Sequence, residues 1–106
     1  MSSSNLSSVT KTASNHAIAG RTRVIGIYFT NTGTASSFEL KNGSSGSGTA
    51  LVTINTPAAI GAGDIIIPDM GILFDEGVYV DLADANVESV TLFFYGGAAV
   101  ADPPPP

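Results

Sequence analysis

The chain offers one side chain suited to act as a general base near neutral pH. His16 is its single histidine, and histidine has the ordinary pKa closest to neutrality. Ser14 lies two residues before it, so a nucleophile and a base are close in sequence. A triad also needs a positioned acid, and no Gly-x-Ser-x-Gly turn is present to hold a nucleophile. We therefore expect His16 to be structural or solvent-exposed, no residue to be catalytic, and the chain not to be an enzyme.

Carboxylates near predicted turns suggest two further kinds of site. The first is a calcium site, since hard oxygen ligands follow one another at Asp81, Asp84, Asn86 and Glu88. The second is a glycosidase-like carboxylate pair drawn from Asp64, Asp69, Asp75 and Glu76. The first set lacks the glycine and the final glutamate of an EF-hand loop, and the second lies beside glycine or proline at turns. We expect solvated turn residues, no metal site and no cofactor.

Two other patterns favour binding or packing over catalysis. Residues 43–48 are rich in glycine but lack the lysine of a phosphate-binding loop, which indicates a flexible hairpin tip. Tyr28, Tyr79 and Tyr95 fall on predicted strands, where they could stack on sugars. Because interfaces are enriched in aromatic residues, we prefer to interpret these tyrosines as interface aromatics.

The amino-acid composition says more about the surface of the protein than about its core. Hydrophobic residues make up 43% of the 106 residues and charged residues only 12%, against about 25% in typical domains. A surface so short of charge is poorly protected against association, so we expect a homo-oligomer, with a trimer favoured. There is no cysteine, which excludes disulfides and Cys-ligated metals. No apolar run has the length of a signal peptide or a membrane span, so we expect no membrane partner.

Charge is distributed unevenly along the chain. The net charge is −5, with +3 in residues 1–38 and −8 in residues 39–106. An acidic chain is not expected to bind nucleic acid, which requires basic residues to neutralise phosphates. The basic segment suggests an arm that contacts acidic surface on a neighbour, although scattered solvated charge is an equal alternative.

Strand-like segments recur about every ten residues from Val24 to Gly96, each closed by a turn signal. No window keeps a helical apolar period. We predict an all-β fold, a small antiparallel β-sandwich or jelly-roll-like domain of about seven or eight strands. The predicted core lists Phe29, Phe38, Leu40, Val52, Ile54, Ile66, Leu73, Val78, Val80, Leu92 and Phe94.

Both ends of the chain differ in composition from the strand-rich region. Residues 1–16 are rich in Ser, Thr and Asn and are predicted to be an extended arm. Residues 17–97 form the predicted sandwich domain, and residues 98–106 an Ala/Pro-rich tail ending in four prolines, which favour polyproline II. The predicted partner-binding residues near the arm are Leu6, Val9, Lys11, Arg21 and Arg23.

Four stretches resemble small virion proteins of tailed bacteriophages, as in cyanophages. These stretches are residues 28–33 (YFTNTG), 38–43 (FELKNG), 65–82 (IIIPDMGILFDEGVYVDL) and 90–96 (VTLFFYG). The shared features are turns and strands of the type Gly-Ile-x-Phe, Gly-Val-Tyr-Val and a closing Tyr-Gly. The resemblance spans residues 24–97.

The resemblance implies a virion component, such as a capsid decoration (cement) protein, without fixing its position in the particle. We expect the outer capsid surface because packaged DNA would repel an acidic chain. It would bind the major capsid protein or another virion protein after synthesis in the host cytoplasm. Two alternatives stay open: a carbohydrate-binding or host-attachment module of a tail or fibre, and a tail or neck connector component.

Overall fold

The computed structural model describes residues 6–102 and is all-β. Within this range there is no helix, and every strand pairing is antiparallel. This confirms the predicted fold class. The eight strands are β1 (Ser7–Lys11), β2 (Asn15–Asn31), β3 (Ser36–Asn42), β4 (Thr49–Thr56), β5 (Gly61–Ile66), β6 (Ile72–Phe74), β7 (Gly77–Leu82) and β8 (Val87–Ala99).

Alternating side chains explain why β7 and β8 form strands with one buried face. In β8, Val90, Leu92 and Phe94 are buried, while the residues between them point outward. In β7, Val78 and Val80 are buried on either side of the half-buried Tyr79. This period of two places one apolar face of each strand against the core.

The long strand β2 organises the sheet. One edge of β2 pairs with β8, from Ile18 to Asn31. Its other edge pairs in turn with β7, β6 and β5. Outside these pairs, β3 and β4 extend the sheet beyond β7, and β1 extends it beyond β8. The strand is therefore central in the sheet, and it begins at Asn15, nine residues before Val24, where the predicted strand-like segments start.

A bend in β2 folds the sheet over itself. Asn15 of β2 and Leu40 of β3 both pair with Val80, which places β3 beside the start of β2. In a flat sheet, Phe29 would therefore lie about 50 Å from Phe38. Instead their ring centroids are 5.5 Å apart, with the planes inclined at 57°.

We place the bend between Ala19 and Thr22, where the register against β8 shifts and the pairing of the other edge changes from β7 to β6. Gly20 there has a φ of +87°, a conformation that glycine adopts without steric cost. The result is a sandwich-like arrangement of two layers.

The core lies between these layers. Seven predicted core residues are buried: Phe29, Phe38, Leu40, Val78, Val80, Leu92 and Phe94. Val52, Ile54 and Leu73 are only partly buried. Ile66 is 82% exposed, so its assignment to the core was wrong. Its neighbours Ile65 and Ile67 pack against the core instead, since strand residues alternate between faces.

The predicted arm differs from what the structure shows. Ser7–Lys11 form β1, which pairs with β8 of the same chain from Phe94 to Val90. β1 can consist largely of serine and threonine because β8 already provides the apolar side chains of the core. β1 needs only to pair its backbone hydrogen-bonding groups with the edge of β8. The sheet therefore runs from Ser7 to Ala99 rather than from residue 17 to 97. Residues 1–5 of the predicted arm and the four terminal prolines lie outside the described residues.

Candidate functional site

The outer face of the layer formed by β8, β2 and β5 carries exposed aromatic and aliphatic side chains. Along β8, Thr91 and Phe93 point outward between buried neighbours. Thr91 pairs with Tyr28 of β2, which is 41% exposed. Phe93 pairs with Gly26, which pairs on its other side with Ile66 of β5. Three adjacent strands thus place Phe93, Gly26 and Ile66 in one row.

The absence of a side chain at Gly26 opens an apolar groove along this row. A Cβ atom built there would lie 3.3 Å from Cδ2 of Phe93, so the phenylalanine ring lies close to the glycine. The groove has a volume of about 300 Å³. Its lining consists of Leu6, Ile25, Gly26, Ile27, Asp64, Ile65, Ile66 and Phe93. Asp64 is the only charged residue among them, so the groove can accept an aliphatic or aromatic side chain.

A tight turn beside the groove exposes one more apolar residue. Asp69 and Met70 have φ values of 59° and 69°, and the Gly71 amide donates to the Pro68 carbonyl over 3.1 Å. These features define a type I′ turn, which favours glycine or asparagine over methionine. Met70 is 64% exposed at its tip. The turn leaves the sheet opposite Ile25, where β2 carries an extra residue relative to β8.

A second, more polar cavity lies next to the groove, on β2 and β8. It measures about 170 Å³ and is lined by Arg21, Thr22, Arg23, Tyr95 and Gly96. Arg23 pairs directly with Tyr95, which lies two residues beyond Phe93 on β8. Two residues of strand span about 7 Å. We call this cavity the arginine pocket.

The predicted partner-binding residues lie in four different places. Leu6 is 47% exposed and lines the groove, and Arg21 and Arg23 line the arginine pocket. Val9 is half-buried opposite Leu92. Lys11 is only 2% exposed, and its Nζ donates to the Val100 carbonyl over 2.6 Å and to Asp102 over 2.7 Å. Lys11 therefore holds the C-terminal segment of its own chain.

The three tyrosines do not share a face. Tyr28 and Tyr95 lie on the outer face of β2 and β8, on either side of Phe93. Tyr79 lies on β7, in the other layer, where it pairs with His16 and Lys41. Its ring would lie 3.6 Å from a Cβ atom at Gly46 in the β3–β4 loop. A single platform of three tyrosines is therefore not formed.

His16 contacts a backbone carbonyl. Its Nε2 lies 2.9 Å from the Ile18 carbonyl oxygen and acts as the donor, since a carbonyl only accepts. The Ser14 hydroxyl accepts a hydrogen bond from the Leu82 amide over 2.9 Å. Ser14 therefore ties the chain just before β2 to β7, whereas His16 bonds to the backbone of its own strand.

Three of the four side chains considered for calcium, those of Asp81, Asp84 and Asn86, have hydrogen-bond partners in the chain. Asp81 accepts from Lys41 over 2.7 Å, and this hydrogen bond raises the pKa of Lys41. Asp84 accepts from the Ser36 hydroxyl over 2.7 Å, which lowers the pKa of Asp84. Asn86 accepts from Thr32 over 2.7 Å. Within residues 6–102, no three acidic or histidine side chains are grouped closely enough to hold a metal ion.

The sequence reasoning missed the groove because three of its main residues were placed differently. Ile66 was assigned to the core, Phe93 was given no outward role, and Gly26 was counted only as part of a strand. The alternation of Val90, Leu92 and Phe94 already implies that Phe93 points outward. The role of Gly26 depends on which strands flank it, and no sequence signal reveals that.

Comparisons of the chain with protein-family models, with curated proteins and with solved structures found no match. The resemblance to phage virion proteins therefore enters below only as a proposal. No helix in residues 6–102 is long and apolar enough to cross a membrane.

Proposed function

We propose that this chain is a non-enzymatic assembly protein, and specifically a capsid decoration protein of a tailed bacteriophage. In this proposal the groove receives an apolar side chain of the major capsid protein or another virion protein at the outer capsid surface. The observation that carries the proposal is the groove itself, with Ile66 82% exposed at its rim. Exposed apolar patches rimmed by polar residues are typical of protein-binding surfaces.

The free energy gained by burying the exposed side chains of this face supports a binding role that depends on several copies acting together. Burying an exposed isoleucine side chain stabilises a complex by about 2 kcal/mol, and every 1.4 kcal/mol changes affinity about tenfold. One groove contact is therefore weak. A decoration protein with several copies at neighbouring positions gains avidity from many such contacts.

A second surface supports the homo-oligomer, for which we propose a trimer. One edge of β4 pairs with β3, and its other edge has no partner among the described strands. Residues 42–63, which include β4 and its flanking loops, carry no charge. Charged residues normally protect free edges from pairing. This segment is the longest stretch of the chain without a charged residue, so two copies of it carry no like charges that repel each other.

The carbohydrate-binding alternative draws on one observation. Tyr28 and Tyr95 share the outer face with Phe93, and aromatic faces can stack on sugars. A host-attachment module would bind glycans on an array, and Tyr28→Ala would abolish that signal. A protein-binding groove predicts no glycan signal.

The test of the proposal uses two isoleucines of nearly equal exposure. Ile66 lines the groove, whereas Ile60, 83% exposed at the other end of β5, does not. Purified variants are sedimented with shells assembled from the major capsid protein of the same genome. Ile66→Asp should weaken binding roughly 30-fold per site, while Ile60→Asp, with the same change in charge, should bind as the parent does. Equal binding by both variants would contradict the groove.

A further inference from the structure

The four basic residues differ in how the fold uses them. Lys11 pairs with Asp102 over 2.7 Å, and Lys41 pairs with Asp81 over 2.7 Å. Arg21 and Arg23 form no ion pair with any residue between Leu6 and Asp102, although the chain contains nine acidic residues. They are the only two arginines in the chain, and both line the arginine pocket.

The fold holds these arginines where an external anion could reach both. Arg21 lies at the register shift between Ala19 and Thr22, and Arg23 lies on the paired strand beyond it. Residues two positions apart on a strand point to the same face, and Arg21 and Arg23 line the same cavity. Arg21 is exposed and Arg23 half-buried, so both are accessible from solvent.

We propose that the arginine pocket binds a carboxylate, supplied by an acidic side chain of a protein partner. Arginine presents a planar set of donors that matches a carboxylate in a two-bond geometry. The hydroxyl group of Tyr95, opposite Arg23, adds a further possible donor.

The charge of the chain favours a carboxylate over a phosphate polyanion. Nucleic acids and anionic membranes carry many charges, and a chain of net charge −5 repels them at long range. A single carboxylate on an otherwise apolar protein surface experiences little of this repulsion. The cavity of about 170 Å³ also admits one small group rather than an extended polymer.

The position of the arginine pocket also indicates which kind of partner segment would bind. This part of the inference rests on the proposed function. Tyr95 of the pocket and Phe93 of the groove are two residues apart on β8, about 7 Å. An extended partner segment with an apolar residue and an acidic residue two positions apart would fill both cavities. The groove then supplies most of the affinity and the arginines supply selectivity.

The experiment measures carboxylate binding to the purified chain alone. The Nε–Hε signals of Arg21 and Arg23 are followed by nuclear magnetic resonance during titration with N-acetylglutamate N-methylamide. The uncharged glutamine counterpart and inorganic phosphate are titrated at the same ionic strength. We expect both arginine signals to shift saturably with the glutamate compound, not to shift with the glutamine compound, and to respond more weakly to phosphate.

Two variants separate specific geometry from simple charge. Arg23→Lys keeps the charge but loses the two-bond geometry, and should weaken glutamate binding about tenfold. Lys41→Gln removes a positive charge away from the pocket and should leave binding unchanged. Non-saturating shifts, an equal response to the glutamine compound, tighter phosphate binding, or an equal loss in both variants would each overturn the assignment. Because no capsid shell is present, failure here is distinguishable from failure of the decoration proposal.

Discussion

Asn31→Asp tests the packing of the β4–β5 connection against the central strand. Asn31 is 1% exposed, and its Nδ2 donates to the carbonyls of Thr32 and Ala59 over 2.8 Å each and of Pro57 over 3.3 Å. A carboxylate at this position would face three carbonyl oxygens with no proton to donate. Lost hydrogen bonds contribute about 1 kcal/mol each, and an uncompensated buried charge costs more, so we expect a loss of about 3–5 kcal/mol.

Urea unfolding of the parent and the variant at pH 7 measures this loss. The surroundings disfavour the charged form, so the pKa of the new carboxyl is raised in the folded state. The variant is then most stable below the pKa of this carboxyl in the unfolded chain, about 4. Its stability falls as the pH rises through the pKa of the carboxyl in the folded protein, so the stability difference between parent and variant should shrink at low pH. Asn55→Asp, at an exposed position of β4, should change stability by at most about 0.5 kcal/mol. Equal losses in the two variants would refute the role of Asn31 in holding the β4–β5 connection against β2.

Two further substitutions probe the bend and the C-terminal contact. Gly97 has a φ of 62°, and a Cβ atom there would lie 2.3 Å from Oγ1 of Thr22, so Gly97→Ala should cost at least about 2 kcal/mol. Gly61→Ala meets no atom within 4 Å and should leave the thermal midpoint nearly unchanged; a similar drop in both would contradict the geometry. Lys11→Ala should destabilise by about 1–3 kcal/mol because it removes a buried contact to the Val100 carbonyl, whereas Asp102→Ala, at a side chain 65% exposed, should cost at most about 1 kcal/mol. The reverse order in urea unfolding would show that the exposed carboxylate dominates.

The sequence predicted the fold class and much of the core because alternation is a local signal. Val78 and Val80 are separated by a tyrosine, so their shared face is evident from the sequence. The loop at residues 43–48 was predicted from its glycines and serines, and it connects β3 to β4 as expected. The all-β, sandwich-like fold follows from many such segments.

Other features depend on contacts between distant segments. Residues 65–67 are three consecutive isoleucines, so the sequence does not show which of them points into the core. The core assignment of Ile66 was therefore off by one residue. β1 contains too few apolar residues to predict a strand, and it forms because β8 presents a free edge. The groove and the arginine pocket both require the pairing of β2 with β8, which joins residues about 70 positions apart.

The central claim is that the chain acts by contact through the face containing Ile66 and Phe93. A cryo-electron microscopy map of the intact particle, at a resolution that shows side chains, tests this most directly. We predict the chain on the outer shell, with both side chains within about 4.5 Å of another protein. A chain at the particle surface whose groove faces solvent, or a chain absent from the particle, would contradict the claim.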